Sequence, residues 1–287
     1  MRSSPALPAA LLIALLACSC SRMRSPLTPG IDGSVGLPHI GMLSNAVELP
    51  RSGPAHEWLR PAGHHFGTPV LVDAILHGAA EVERQRPGSP RLRVGDLSAR
   101  HGGRLRGHAS HRTGRDADLL FYTSSLSGAP IPSPGFVRIG PDGLASLHPK
   151  ESGPYVQLDV ERNWLLVKAL VEAPGPGVTW LFVSRPVEAL LTEYALARGE
   201  DPVVVWHAES VMLQPRNALP HDDHFHLRIA CSMDMAVQGC EDNGPEWPWL
   251  PSVRQRTAFD QDERLTELEP DSLPPLGSSP GHGAAAP

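Results

Sequence analysis

The chain has 287 residues, a formal net charge of −6 and a hydrophobic fraction of 41%. That length accommodates one large domain or two small ones with a real core. The acidic balance argues against a nucleic-acid partner, which needs a basic face.

In chain order, Arg2 and the apolar run from Ala6 to Ala17 have the make-up of a secretory leader, and the run is too short to span a bilayer. Leu15-Leu16-Ala17-Cys18 resembles the bacterial lipobox, in which the cysteine is acylated and becomes the new N-terminus. Residues 1–17 are therefore expected to be a signal peptide and Cys18 a lipid attachment point, with a plain signal peptide cut near Cys20 as the alternative. Residues 18–33 read as a tether, 34–250 as one domain, and 251–287 as an acidic, then Pro/Gly/Ala-rich disordered tail. No later stretch is apolar for long enough to be a transmembrane helix, so membrane contact is expected only through the N-terminal anchor.

Within the domain, Ser34 to Pro50 consists of short apolar pieces broken by Gly and Pro. Thr68-Pro69 is an N-cap followed by proline at the first helical position, predicting a helix to about Arg86, where Pro87-Gly88 stops it. Arg91 to Ser98 reads as a strand with Leu92 and Val94 inward, and Asp116 to Thr123 as a second strand with Asp116 and Asp118 on one face. The Gly-, Pro- and Ser-rich run from Ser124 to Pro154 reads as a long surface loop. A helix is predicted over Asp159–Ala173, a buried strand over Val178–Val183, a helix from Ser184 to Gly199 and a short strand over Val203–Trp206. His224 to Cys231 alternates, with His224, His226 and Arg228 on one face and Phe225, Leu227 and Ile229 on the other. The fold class expected is α+β, a central antiparallel sheet flanked by helices and long loops. Beyond Cys18 and Cys20 at the end of the leader only Cys231 and Cys240 remain, and in an exported chain an isolated pair suggests a disulfide.

Two words far apart in sequence carry the chemistry. Gly107 to Asp118 and His221 to His226 hold five of the 14 histidines together with Asp116, Asp118, Asp222 and Asp223. Imidazole and carboxylate are what a zinc ion takes as ligands, and a catalytic zinc uses three and keeps a position open. The assignment is His111, Asp118 and His226 as ligands, with Zn2+ as cofactor. His224, offset by two residues, is placed beside the metal as general base in amide hydrolysis. His221 is placed at the oxyanion or the base, and Asp222 or Asp223 behind an imidazole. The remaining histidines, the His64-His65 pair included, are assigned to the surface or to local hydrogen bonds. Arg162-Asn163-Trp164 is assigned to packing and loop anchoring, and Trp247 and Trp249 to structural cover.

HxxxxxxD filled by His111 and Asp118, followed far downstream by HxH filled by His224 and His226, resembles the lysostaphin/D-Ala-D-Ala/hedgehog class of zinc peptidases. With Gly95-Asp96-Leu97-Ser98, Gly107-His108-Ala109-Ser110-His111, Gly114-Arg115-Asp116-Ala117-Asp118, Arg162-Asn163-Trp164 and His221-Asp222-Asp223-His224-Phe225-His226, the chain more narrowly resembles the penicillin-insensitive murein endopeptidases. That resemblance implies zinc-dependent hydrolysis of the D-alanyl–diaminopimelyl cross-link of peptidoglycan stem peptides in the periplasm; the lipoprotein tether expected from the leader, like the acidic tail, departs from a soluble periplasmic member. The resemblance implies the same three ligands, and offers His108 to a second metal or to substrate. The alternatives are a zinc D-Ala-D-Ala carboxypeptidase, for which Arg112, Arg115 and Arg228 are candidates to pair the terminal carboxylate, and a non-catalytic zinc-holding cell-wall adaptor.

Overall fold

The computed structural model describes residues 33–250 apart from 61–62, 149–152, 217, 243 and 246. The expected leader, Cys18, nearly all of the tether, the tail and His282 lie outside the described residues.

The chain opens with a hairpin, β1 (Gly33–Leu37) and β2 (Ile40–Ser44), followed by the short β3 (Val47–Glu48), β4 (His56–Trp58) and β5 (Phe66–Gly67). Helix α1 (Pro69–Gln85) begins as its sequence dictates: Thr68 Oγ1 accepts from the Leu71 amide at 3.3 Å, and Leu71, Val72, Ile75, Ala79 and Val82 are buried. Next come β6 (Leu92–Val94), β7 (Asp116–Leu120), β8 (Thr123–Ser124), β9 (Pro130–Ile131), β10 (Leu144–Ser146) and β11 (Tyr155–Leu158). Then follow α2 (Val160–Val171), β12 (Val178–Phe182), α3 (Arg185–Arg198), α4 (Pro202–Val211), β13 (Met212–Leu213), β14 (His224–Ile229) and α5 (Met233–Val237).

The largest sheet has the order β13-β12-β14-β7-β6-β4. Its four inner strands run antiparallel, but β12 pairs with β13, and β6 with β4, in parallel. The fold is thus mixed α and β as expected, while the expectation of one antiparallel sheet is corrected to a mixed one. Two further misreadings are informative. Val203–Trp206 is helix, not strand: Asp201 caps it by accepting from the Val203 amide at 2.8 Å, and Pro202 sits at the first helical position. The segment 124–154 is more than a loop, for it supplies strands to a four-stranded antiparallel sheet, β10-β11-β8-β9.

The β14/β7 pairing sets the site. His226 lies opposite Asp118 and Arg228 opposite Asp116, while Phe225 lies opposite Leu119 and Leu227 opposite Ala117. Because side chains alternate across a strand, the apolar set shares one face, inside a core built with α1, α2, α3 and α4, and the polar set shares the other. Asn163 holds the exit from β7: its amide oxygen accepts from the Tyr122 amide at 3.0 Å and its nitrogen donates to the Tyr122 carbonyl at 2.7 Å. Cys231 and Cys240 form the disulfide the sequence suggested.

Candidate metal centre

The loop between β6 and β7 carries His108 and His111 and is braced by the β1–β2 hairpin. The Leu43 amide donates to His101 O at 3.1 Å, and the Arg112 amide to Pro38 O at 3.2 Å. Gly102 is required there: its φ is +65°, and a Cβ would meet Arg112 O at 2.0 Å. His111 itself has φ 61° and His221 φ 49°, a costly conformation for residues other than glycine. Two site histidines are thus held in strained backbone by their surroundings.

Each ring is tethered on its outer side. His111 Nδ1 donates to Leu97 O at 2.7 Å. His108 Nε2 pairs with Asp96 Oδ2 at 3.0 Å, His226 Nε2 with Asp116 Oδ1 at 2.9 Å, and His224 Nδ1 with Asp223 Oδ1 at 2.5 Å. These partners fix which nitrogen remains available, as outer carboxylates and carbonyls do for metal-binding histidines. Three inner nitrogens then surround one buried carboxylate: His111 Nε2 is 3.2 Å and His224 Nε2 3.4 Å from Asp118 Oδ1, and His108 Nδ1 is 3.9 Å from Asp118 Oδ2. The His226 ring stands 4.6 Å from that of His111.

His111 Nε2 and Asp118 Oδ1 are buried and face each other without hydrogen-bond alignment, an arrangement that suits two atoms aimed at a common third. The ligand atoms of His108, His111 and Asp118 lie within 4.8 Å of one another, so this group can hold a metal ion. The donor set, imidazole nitrogen with carboxylate oxygen, matches zinc chemistry. His108, set apart in the sequence analysis, therefore joins His111 and Asp118 in the same cluster. His226 stands beside it with Nε2 spent on Asp116.

Charge at the centre follows from burial and neighbours. Burial alone would raise the Asp118 carboxyl, but His111 and His224 outweigh it and hold it well below the usual range. Asp116 is likewise depressed: burial is overcome by Arg228, whose Nε donates to Oδ1 at 2.7 Å, and by His226. Burial lowers His226 to about 4 and pushes His221 well below its ordinary value. Burial also opposes charge on His224, but Asp118 and Asp223 raise it to about 10.

The centre opens into a cleft lined by His108, Asp118, Asp222, His221, His224 and Arg138, among others. Arg138 carried no signal in the sequence, being one arginine in a Pro/Gly-rich run. The three arginines singled out there lie elsewhere. Arg115 is buried and donates to Asp242 at 2.8 Å, Ser34, Ile229 O and Glu241 O. Arg228 is buried against Asp116, and Arg112 does not line the cleft. Trp164 is fully buried and the Trp247 indole donates to Thr179 O at 2.9 Å, both structural as expected. His65 is not the surface residue expected: it is fully buried and stacked on Trp58 at 3.7 Å.

Residues 34–131 match the family described as Penicillin-insensitive murein endopeptidase. A protein of that name from Haemophilus influenzae is 27% identical over 239 residues, covering 78% of this chain and 72% of its own. One from Klebsiella pneumoniae is 26% identical over 283 residues, covering 94% and 92%, and one from Escherichia coli K12 is 27% identical over 239 residues, covering 80% of each.

Proposed function

We propose that this chain, a member of the penicillin-insensitive murein endopeptidase family, is a zinc endopeptidase that hydrolyses the D-alanyl–diaminopimelyl amide between cross-linked peptidoglycan stem peptides. The observation that carries this is the convergence of tethered imidazoles on the buried Asp118 at the floor of an open cleft.

His111, Asp118 and His226 are the ligands in this account, His226 through Nδ1 since Nε2 is held by Asp116. His108, oriented by Asp96, is a further ligand within reach. Bound there, zinc supplies Lewis acidity, polarising the amide carbonyl and making water a stronger nucleophile. With Asp118 committed as a ligand, Asp223 would be the carboxylate left to favour imidazolium on His224. His224 then keeps Asp223 as its partner on Nδ1, with Nε2 turned to the reacting centre. It accepts the proton of the attacking water as the oxygen–carbon bond forms, and returns it to the amine nitrogen as the carbon–nitrogen bond breaks. His221 is kept neutral by burial, and its Nδ1 has no hydrogen-bond partner among the described residues. Its role here is to donate to the oxygen that gains charge in the tetrahedral intermediate.

The lipobox-like leader supports export and tethering at Cys18, and in this reading the domain of residues 34–250 works in the periplasm beside its substrate. Among the described residues no helix is long and apolar enough to cross a membrane. The test is digestion of purified cross-linked muropeptide dimers by zinc-loaded protein, with and without chelator. Chelator-sensitive conversion of dimer to monomer is expected. Release of terminal D-alanine alone would make the chain a carboxypeptidase, and binding without turnover would make it an adaptor.

A further inference from the structure

The cleft is lined by the carboxylates of Asp118, Asp222 and Asp223 and by the imidazoles of His108, His221, His224 and His226, and Arg138 is the one arginine or lysine lining it among the described residues. Peptidoglycan stem peptides are rich in carboxylates, and a substrate carboxylate set beside Asp222 and Asp223 needs a fixed positive group at the point where it is accepted. Arg138 has the properties of such a group. Its neighbour Ile139 is buried, and the Ile139 amide donates to Asp222 O at 2.7 Å, which ties the backbone at this point to the loop preceding His224. The Arg138 side chain is nevertheless 66% exposed. Its contact is a loose one, Nε to Asp222 Oδ1 at 3.5 Å, and among the described residues the terminal nitrogens of the fork are left to offer paired donors.

Arg60, which shares Asp96 with His108, is committed: Nη1 donates to Asp96 Oδ2 at 3.1 Å, and its guanidinium lies over Phe136 at 5.3 Å. With Arg115 and Arg228 taken up in the interior, Arg138 is the cation placed to meet a substrate.

We infer that Arg138 is a specificity-determining residue whose guanidinium pairs with the substrate carboxylate borne by the carbon next to the scissile nitrogen. This rests on the peptidase function proposed above. In a D-alanyl–diaminopimelyl link the leaving nitrogen sits on a carbon that carries a carboxylate, and in a terminal D-alanyl–D-alanine it does too. Both sources share the chemistry, a planar anion matched by the arginine fork. Such an anchor would fix the leaving amine relative to His224 and reject amides that lack the acid.

Zinc-loaded full-length protein and its Arg138→Ala variant are compared on a cross-linked dimer with that carboxylate free and on the same dimer with it converted to carboxamide. A pentapeptide ending in D-alanyl–D-alanine and its C-terminal amide form a second pair. The exposed side chain keeps the substitution apart from folding, and Arg138→Lys separates the fork from the charge. On the free acid, Arg138→Ala should lower kcat/KM by roughly 10–100-fold, mostly through KM, and should change the carboxamide less than about threefold. Lysine should restore only part of the loss. Equal losses on acid and carboxamide, or no loss on the acid, would overturn the assignment. If the wild type cleaves only the pentapeptide, the endopeptidase function falls and Arg138 is judged by the same criteria on that pair. A wild type inert to all four overturns both.

Discussion

Asp116 joins the fold to the site, and its removal has consequences that can be worked out. It is fully buried, lies opposite Arg228 in the β14/β7 ladder, and its Oδ1 accepts from Arg228 Nε at 2.7 Å and from His226 Nε2 at 2.9 Å. Asp116→Ala takes the carboxylate away from a guanidinium that is 1% exposed, and removing one partner of a buried ion pair costs about 3–5 kcal/mol. Asp116→Asn keeps the volume and an acceptor oxygen but loses the charge, for about 1.5–3 kcal/mol. Asp116→Ala also releases the outer nitrogen of His226, and loss of such a partner lowers metal affinity by about 10–100-fold. Stability is read from urea unfolding, followed by tryptophan fluorescence, on chelator-treated protein with its disulfide intact, so that bound metal adds nothing to the comparison. Zinc affinity is read separately by competition with a chromogenic chelator. An Asp116→Ala variant within about 1 kcal/mol of wild type would refute the buried pair as a stabilising unit. An Asp116→Ala variant with unchanged zinc affinity would refute His226 as a ligand oriented from behind.

Further outcomes are expected from the same structure. His111→Ala, Asp118→Ala and His226→Ala should each lose stoichiometric zinc and turnover together by elemental analysis, and full zinc retention in any one removes it from the ligand set. His224→Ala should keep zinc yet lose at least about 100-fold in kcat, whereas a near-normal rate dismisses it as the base. The Cys231–Cys240 bridge closes a loop of sequence separation 9, so Cys231→Ser with Cys240→Ser should lower stability by about 2–3 kcal/mol in urea, and an unchanged midpoint would show the bridge to be dispensable. Burial lowers His65 to about 4 in the folded chain, below the ordinary 6.5, so the unfolded chain binds the extra proton between those values. Stability should therefore fall as pH drops from 6.5 to 4, and His65→Phe should flatten that slope; an unaltered slope contradicts a buried neutral imidazole.

Much of the site was legible in sequence because it depends on local periodicity. The alternation His224-Phe225-His226-Leu227-Arg228-Ile229 assigns two faces with no knowledge of the partner strand, and the ladder with Asp116–Leu120 obeys it. The Thr68 cap was equally legible, its Oγ1 accepting from the Leu71 amide, whereas Ser184 at the start of α3 makes no side-chain cap bond. Val203–Trp206 was misread because three valines favour strand, yet the Asp201-Pro202 start and packing on α2 and β12 decide for helix. The strands between residues 123 and 158 span two to four residues each, too short for alternation to register. The place of His108 depended on its tether to Asp96, twelve residues away, and the place of Arg138 on a backbone bond to Asp222. Spacing within one segment encodes neither contact.

The most direct measurement is anomalous scattering at the zinc edge from crystals of the metal-loaded protein. The account requires one peak about 2.0–2.2 Å from His111 Nε2, from an Asp118 carboxylate oxygen and from a nitrogen of His226. A map with no peak among those side chains, from crystals whose elemental analysis shows bound zinc, would contradict it.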